Sequence, residues 1–190
     1  MRTDLTQRIA ESRALRAVLT FLAAYIVLSI LWIYVRGMYG YGITFIASKF
    51  VAGLKDARLE DVIILGNNII ATFSPVRQPN SYIDVPVNLA VYTTNVPLVL
   101  SLLISLFSFL IRRKRAYAEA LLILLLFHLL YVFFSETLQL TNTFMMRGVE
   151  EKSLIRLSNY HFLWGLAEHA SMSFAPFLIV VYIFVRFRRA

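Results

Sequence analysis

Leu98-Val99-Leu100-Ser101-Leu102-Leu103-Ile104-Ser105-Leu106-Phe107-Ser108-Phe109-Leu110-Ile111-Arg112-Arg113-Lys114-Arg115-Ala116-Tyr117 runs from an apolar stretch through four basic residues into another apolar stretch. A charged turn this short between two such runs is the pattern of a helical pair crossing a membrane and returning. Working outward, four runs approach the roughly twenty residues needed to cross a hydrocarbon core: residues 17–35, 89–111, 117–134 and 162–185. Arg2, Arg8, Arg13 and Arg16 precede the first, Arg112 to Arg115 join the second to the third, and Arg186, Arg188 and Arg189 follow the last. Alternating spans place all three clusters on one side, which the excess of Lys and Arg in cytoplasmic flanks makes the cytoplasm.

The expected fold class is therefore an α-helical integral membrane protein with four transmembrane helices and a small extracytoplasmic antiparallel β segment between the first two. The expected divisions are a cytoplasmic segment (1–16), the first span (17–35), an outer loop with a surface helix and β hairpin (36–88), the second span (89–111), and a basic turn (112–116). The third span (117–134), a second outer loop (135–161), the fourth span (162–185) and a cytoplasmic tail (186–190) complete it. The first span runs through Ile30, Leu31, Trp32, Ile33 and Tyr34 without a small-residue cleavage site, so it reads as a retained anchor. Asp4 followed by Gln7 predicts a helix that starts before it.

A hydrophobic content of 59% suits one membrane domain. The net charge of +8 sits in short flanks against anionic headgroups, so membrane lipid rather than nucleic acid is the expected partner. The chain has no cysteine, which excludes disulfides, thiolate catalysis and Cys-ligated metals.

Within the first outer loop, Gly37-Met38-Tyr39-Gly40-Tyr41-Gly42 reads as a flexible exit from the bilayer with tyrosines at the interface. Ile43, Ile46, Phe50 and Leu54 recur at helical spacing and predict a surface helix, with Ser48, Lys49, Lys55 and Asp56 on or beyond its other face. The β-branched and aromatic runs 62–65 and 69–73 flank Gly66-Asn67-Asn68, a hairpin signal. A third extended run, 82–92, contains Pro86, which restricts it to a sheet edge or interrupts it. So small a sheet cannot bury its apolar face within itself and must lie against lipid, the later outer loop or another protein. Val62, Ile64, Ile69, Phe73, Tyr82 and Tyr92 are the expected contacts to such a partner.

Polar residues at membrane depth form two stripes. His128, Ser135 and Gln139 share a helical face with Glu136 beside it, and His161, Trp164, Glu168 and Ser171 follow at i, i+3, i+7, i+10. An acid/base site would use Glu136, His161 and Glu168, and a metal site His161 and His169. The eight-residue separation of the two histidines lacks the HExxH register, and no nucleophile motif accompanies them, so no catalytic, cofactor or metal site is assigned. Inter-helix hydrogen bonding accounts for such residues equally well. Glu119 reads as a helix-start carboxylate beside its own basic turn, and Pro97 and Pro176 as potential kinks.

The order of features resembles the small exosortase H-associated membrane proteins of bacteria. The stretches carrying the resemblance are Val91-Tyr92-Thr93-Thr94-Asn95-Val96-Pro97-Leu98-Val99-Leu100-Ser101-Leu102, the basic Arg112 to Arg115, Val132-Phe133-Phe134-Ser135-Glu136-Thr137-Leu138-Gln139, and Ser173-Phe174-Ala175-Pro176-Phe177. Exosortases themselves use a cysteine, an arginine and a histidine, so a chain without cysteine is not that enzyme. The resemblance implies a non-enzymatic accessory of a protein-sorting or envelope-assembly system in the bacterial inner membrane, partnered by a larger membrane protein such as an exosortase. The competing expectation is a small integral-membrane enzyme acting on lipid or envelope precursors at the outer face.

Overall fold

A computed structural model describes residues 2–106 and 113–187, without the side chains of 2–13 and 113. The basic residues Arg112, Arg188 and Arg189 lie outside the described residues, as does the end of the expected second span. The elements are α1 (Arg2–Leu54), β1 (Ala57–Leu65), β2 (Asn68–Pro75), β3 (Ile83–Asn88), α2 (Leu89–Thr93), α3 (Asn95–Ser105), α4 (Arg113–Met146), α5 (Leu154–His169), a π-helical turn (Ala170–Phe174) and α6 (Ala175–Phe187). Among the described residues three helical stretches are long and apolar enough to cross a membrane: Ala14–Leu54, Lys114–Met146 and Leu154–Phe187. The fourth expected span corresponds to a shorter apolar stretch, Leu89–Ser105.

The first outer loop departs from expectation. Its glycine-rich exit and separate surface helix are one continuous helix with the first span. A helical glycine costs about 1 kcal/mol relative to alanine, but Gly40 permits a close approach. A Cβ there would overlap Leu89 Cδ2 and come within 3.0 Å of Ile69 Cδ1 and Tyr92 Oη. The expected surface face is divided between the core and the exterior. Ile43, Ala47, Ser48, Val51 and Ala52 are buried, while Ile46, Phe50 and Leu54 are exposed. Small side chains on the buried face bring the sheet close, and that packing outweighs the larger apolar residues opposite.

The hairpin forms as its sequence predicts, with Leu65 opposite Asn68 and Gly66 at φ +62°. The strand order is β1-β2-β3, all antiparallel. Pro86 sits in β3, an edge strand, opposite Ile70, where its missing N–H removes no bond to a further strand. The extended run ends at Asn88, whose side chain accepts from Ala90 N at 2.9 Å and caps α2, so Tyr92 is helical rather than extended.

Alternation along β2 and β3 sends Ile69, Ala71, Phe73, Ile83, Val85 and Val87 to one face, all buried. They pack with α1 residues 43–52 and with Tyr131, Val132, Leu140 and Phe144 of α4. The sheet thus has its private core inside the chain. Val62, Ile69, Phe73 and Tyr92 are consumed by it, and of the six expected partner contacts only Ile64 and Tyr82 remain exposed.

A second core at the opposite, basic end joins Val96, Val99 and Leu103 of α3, Ala116, Ala120 and Leu124 of α4, and Ile179 and Ile183 of α6. Glu119 does more there than start a helix. Its carboxylate accepts from Arg115 Nε at 2.9 Å and Tyr182 Oη at 3.2 Å and lies 3.4 Å from Arg186 Nε, tying α4 to α6. Pro97 falls in the first turn of α3, where an absent N–H is tolerated, whereas Pro176 lies inside the continuous helical stretch Leu154–Phe187, directly after the π turn.

Candidate functional site

Two polar features stand out, a buried hydrogen-bonded chain in the middle of the bundle and a charged cleft at the sheet end.

The buried chain begins with Pro176. In the π turn, Ala175 N–H donates to the Ala170 carbonyl, and the next residue, Pro176, has no N–H to offer the Ser171 carbonyl. Asn95 Nδ2 fills that gap, donating to Ser171 O at 2.5 Å. This fixes the amide orientation, so Asn95 Oδ1 accepts from His128 Nε2–H at 3.0 Å. His128 Nδ1 must then accept, and Tyr39 Oη donates to it at 2.7 Å. The imidazole is fully buried, edge-on to both Tyr39 and Tyr92. Four segments thereby meet in one buried hydrogen-bonded chain, where a stranded group is costly, while among the described residues Ser171 Oγ has no partner.

A turn or two away on α4, Glu136 is also fully buried. Ser48 Oγ donates to its Oε1 at 2.8 Å, while among the described residues Oε2 has no hydrogen-bond partner. The structure does not assemble the expected acid/base trio. Glu136 faces α1, whereas His161 is exposed and packs edge-on against Trp164, Glu168 is partly buried and His169 is exposed. Among the described residues no three His, Asp or Glu side chains gather as metal ligands. Gln139 instead donates to the Pro86 carbonyl at 3.2 Å, so α4 covers a carbonyl of β3. The helix expected to begin at residue 162 starts at Leu154, with Ser153 as its cap, so His161 lies two turns inside it.

The cleft, about 480 Å³, opens where α1, the end of β2 and the α4–α5 connection meet. Leu54, Pro75, Phe144 and Val149 provide its apolar wall. Lys55 is buried, its Nζ donating to both Glu150 carboxylate oxygens at 3.1 and 3.2 Å and lying 4.9 Å from the Tyr160 ring centre. Burial lowers the pKa of the Lys55 ammonium below the usual lysine range, and its hydrogen bonds to the Glu150 carboxylate oppose that shift. Arg156 approaches the same carboxylate at 3.6 Å. Arg77, Asp56 and Glu151 complete the charged lining. None of these residues was singled out as a site from sequence. Lys55 and Glu150 are 95 residues apart, and the only local signal is a lysine directly following an apolar helix.

No protein family, curated protein or solved structure matches the chain.

Proposed function

We propose that this chain is a four-span bacterial inner-membrane protein with cytoplasmic termini, acting as a non-enzymatic accessory of an exosortase-type protein-sorting or envelope-assembly system. The observation that carries the reading is an apolar flank outside the stretch a bilayer can cover. The 41 residues Ala14–Leu54 extend about 60 Å at ~1.5 Å per residue, against roughly 30 Å of hydrocarbon. With Arg16 at the cytoplasmic headgroups, the hydrocarbon ends near Tyr34 and Arg36. Tyr41, Phe45, Ile46, Phe50 and Leu54 then stand beyond it, exposed on the face turned away from the sheet. A mainly apolar row in that position, interrupted by the exposed Lys49 whose Nζ lies 5.3 Å from the Phe45 ring centre, suits contact with the outer part of a larger membrane protein. The one-sided basic clusters support the orientation, and the resemblance to exosortase H-associated proteins supports the system.

The test is affinity purification from native membranes in mild detergent, with quantitation of what remains bound. Stoichiometric recovery of an exosortase or export component, lost on Phe50→Glu, is the expected result; a partnerless chain would overturn the reading. The enzyme alternative requires Glu136, His161 and Glu168 to act together. Alanine at all three should leave a complementation assay intact, and loss of function with insertion retained would reinstate the enzyme.

A further inference from the structure

The cleft at the sheet end carries charge that the fold does not use. Its lining holds three cations, Lys55, Arg77 and Arg156, and three carboxylates, Asp56, Glu150 and Glu151. Lys55 and Arg156 converge on Glu150, so this trio keeps one net positive charge, and Arg156 retains guanidinium donors beyond its single approach to that carboxylate. Among the described residues the Arg77, Asp56 and Glu151 side chains make no hydrogen bond or ion pair. Free charges of both signs therefore line one cavity beside the apolar wall of Leu54, Pro75, Phe144 and Val149. The buried Lys55, clamped by Glu150 and lying over Tyr160, gives that lining a fixed base.

We propose that this cleft binds an extended polypeptide segment presenting one basic and one acidic side chain on either side of an apolar one. A simple anion or cation would meet as many repelling as attracting groups, whereas a segment of mixed charge satisfies both sets at once. The cavity falls within the usual size range for ligand sites. A lipid headgroup fits less well. On the membrane reading above, the 33 residues Lys114–Met146 rise about 50 Å from the basic end, which leaves the cleft roughly 20 Å past the hydrocarbon and outside the headgroup layer. The partner would thus be an exported chain rather than lipid.

Isothermal titration of the full chain in detergent micelles tests this with capped tripeptides: Lys-Leu-Glu and Glu-Leu-Lys, the single-sign Lys-Leu-Lys and Glu-Leu-Glu, and uncharged Ser-Leu-Ser. One of the mixed peptides should bind at least about tenfold more tightly than the single-sign and uncharged ones, the scale of one charge-assisted hydrogen bond. Arg77→Ala and Glu151→Ala should each weaken it about tenfold with the melting curve unchanged, because neither side chain has a partner in the fold. Equal affinity for Ser-Leu-Ser, preference for a single-sign peptide, or indifference to both substitutions overturns the proposal. So does binding of phosphatidylethanolamine vesicles in place of every tripeptide. Since the titration uses the isolated chain, peptide binding without any co-purifying partner would refute the accessory reading alone. Partner recovery that survives Arg77→Ala, with no peptide bound, would refute the cleft alone.

Discussion

Replacing Gly40 by alanine isolates the close packing that lets a glycine-rich segment remain helical. Any glycine-to-alanine change within α1 gains helix propensity worth about 1 kcal/mol. At Gly40 the new methyl overlaps Leu89 Cδ2 and crowds Ile69 Cδ1 and Tyr92 Oη. Leu89, Ile69 and Tyr92 are themselves buried, so they have little room to withdraw. Overpacking of this kind costs about 1–3 kcal/mol. Gly42, half a turn along the same helix, would carry a methyl with no neighbouring atom within 4 Å and serves as the control. The propensity gain cancels between the two variants, so Gly40→Ala should be less stable than Gly42→Ala by roughly 1–3 kcal/mol. For a chain of this size that is a difference in melting temperature of about 2–12 °C. Circular dichroism melts of both variants in one detergent give the comparison. Equal midpoints, or a more stable Gly40→Ala, would show that α1 and α2 do not meet as described.

Asn95→Ala strands the Ser171 carbonyl and His128 Nε2–H together and should cost about 2–5 kcal/mol. In a Pro176→Ala background, where residue 176 regains an N–H, the same change should cost less, and a double-mutant cycle in an unfolding assay reads the difference. Lys55→Met leaves the partly exposed Glu150 with only the looser Arg156 contact and should destabilise by about 1–3 kcal/mol, whereas Lys55→Met combined with Glu150→Leu should recover much of that loss in the same assay. Because the chain has no cysteine, single cysteines report topology directly. Gln78→Cys should react with an impermeant maleimide on intact spheroplasts and Lys114→Cys only after lysis, and the reverse pattern would invert the proposed orientation.

What was legible in the sequence was local. The Gly66-Asn67-Asn68 turn, the confinement of Pro86 to an edge strand and the three long apolar helices are each specified by neighbouring residues or by periodicity. The glycine-rich segment misled because three glycines within six residues signal a flexible exit when Leu89 and Tyr92, some fifty residues later, are out of view. Periodicity marks Ile43, Ile46, Phe50 and Leu54 as one surface face, but Ile43 is buried with Ala47, Val51 and Ala52 against the sheet, because a sheet approaches a helix closely over small residues. The polar stripes on α4 and α5 were found, but their partners were not. His128 bonds to Asn95 and Tyr39, and Glu136 to Ser48, across separations that no single-segment pattern encodes.

The sheet's inner face closes against residues from both sides of the sequence, α1 before it and Tyr131 to Phe144 after it. A ribosome delivers these in order. Ile69, Phe73, Val85 and Val87 are therefore synthesised at least forty residues ahead of half of their own cover, and the sheet must wait, half of its apolar face uncovered, until residues 131–144 of α4 arrive. Nascent chains arrested after Ser105 should expose that sheet to protease, and chains arrested after Met146 has emerged should protect it. The interval between β3 and α4 in the chain thus sets how long the second half of the sheet's cover is missing during synthesis.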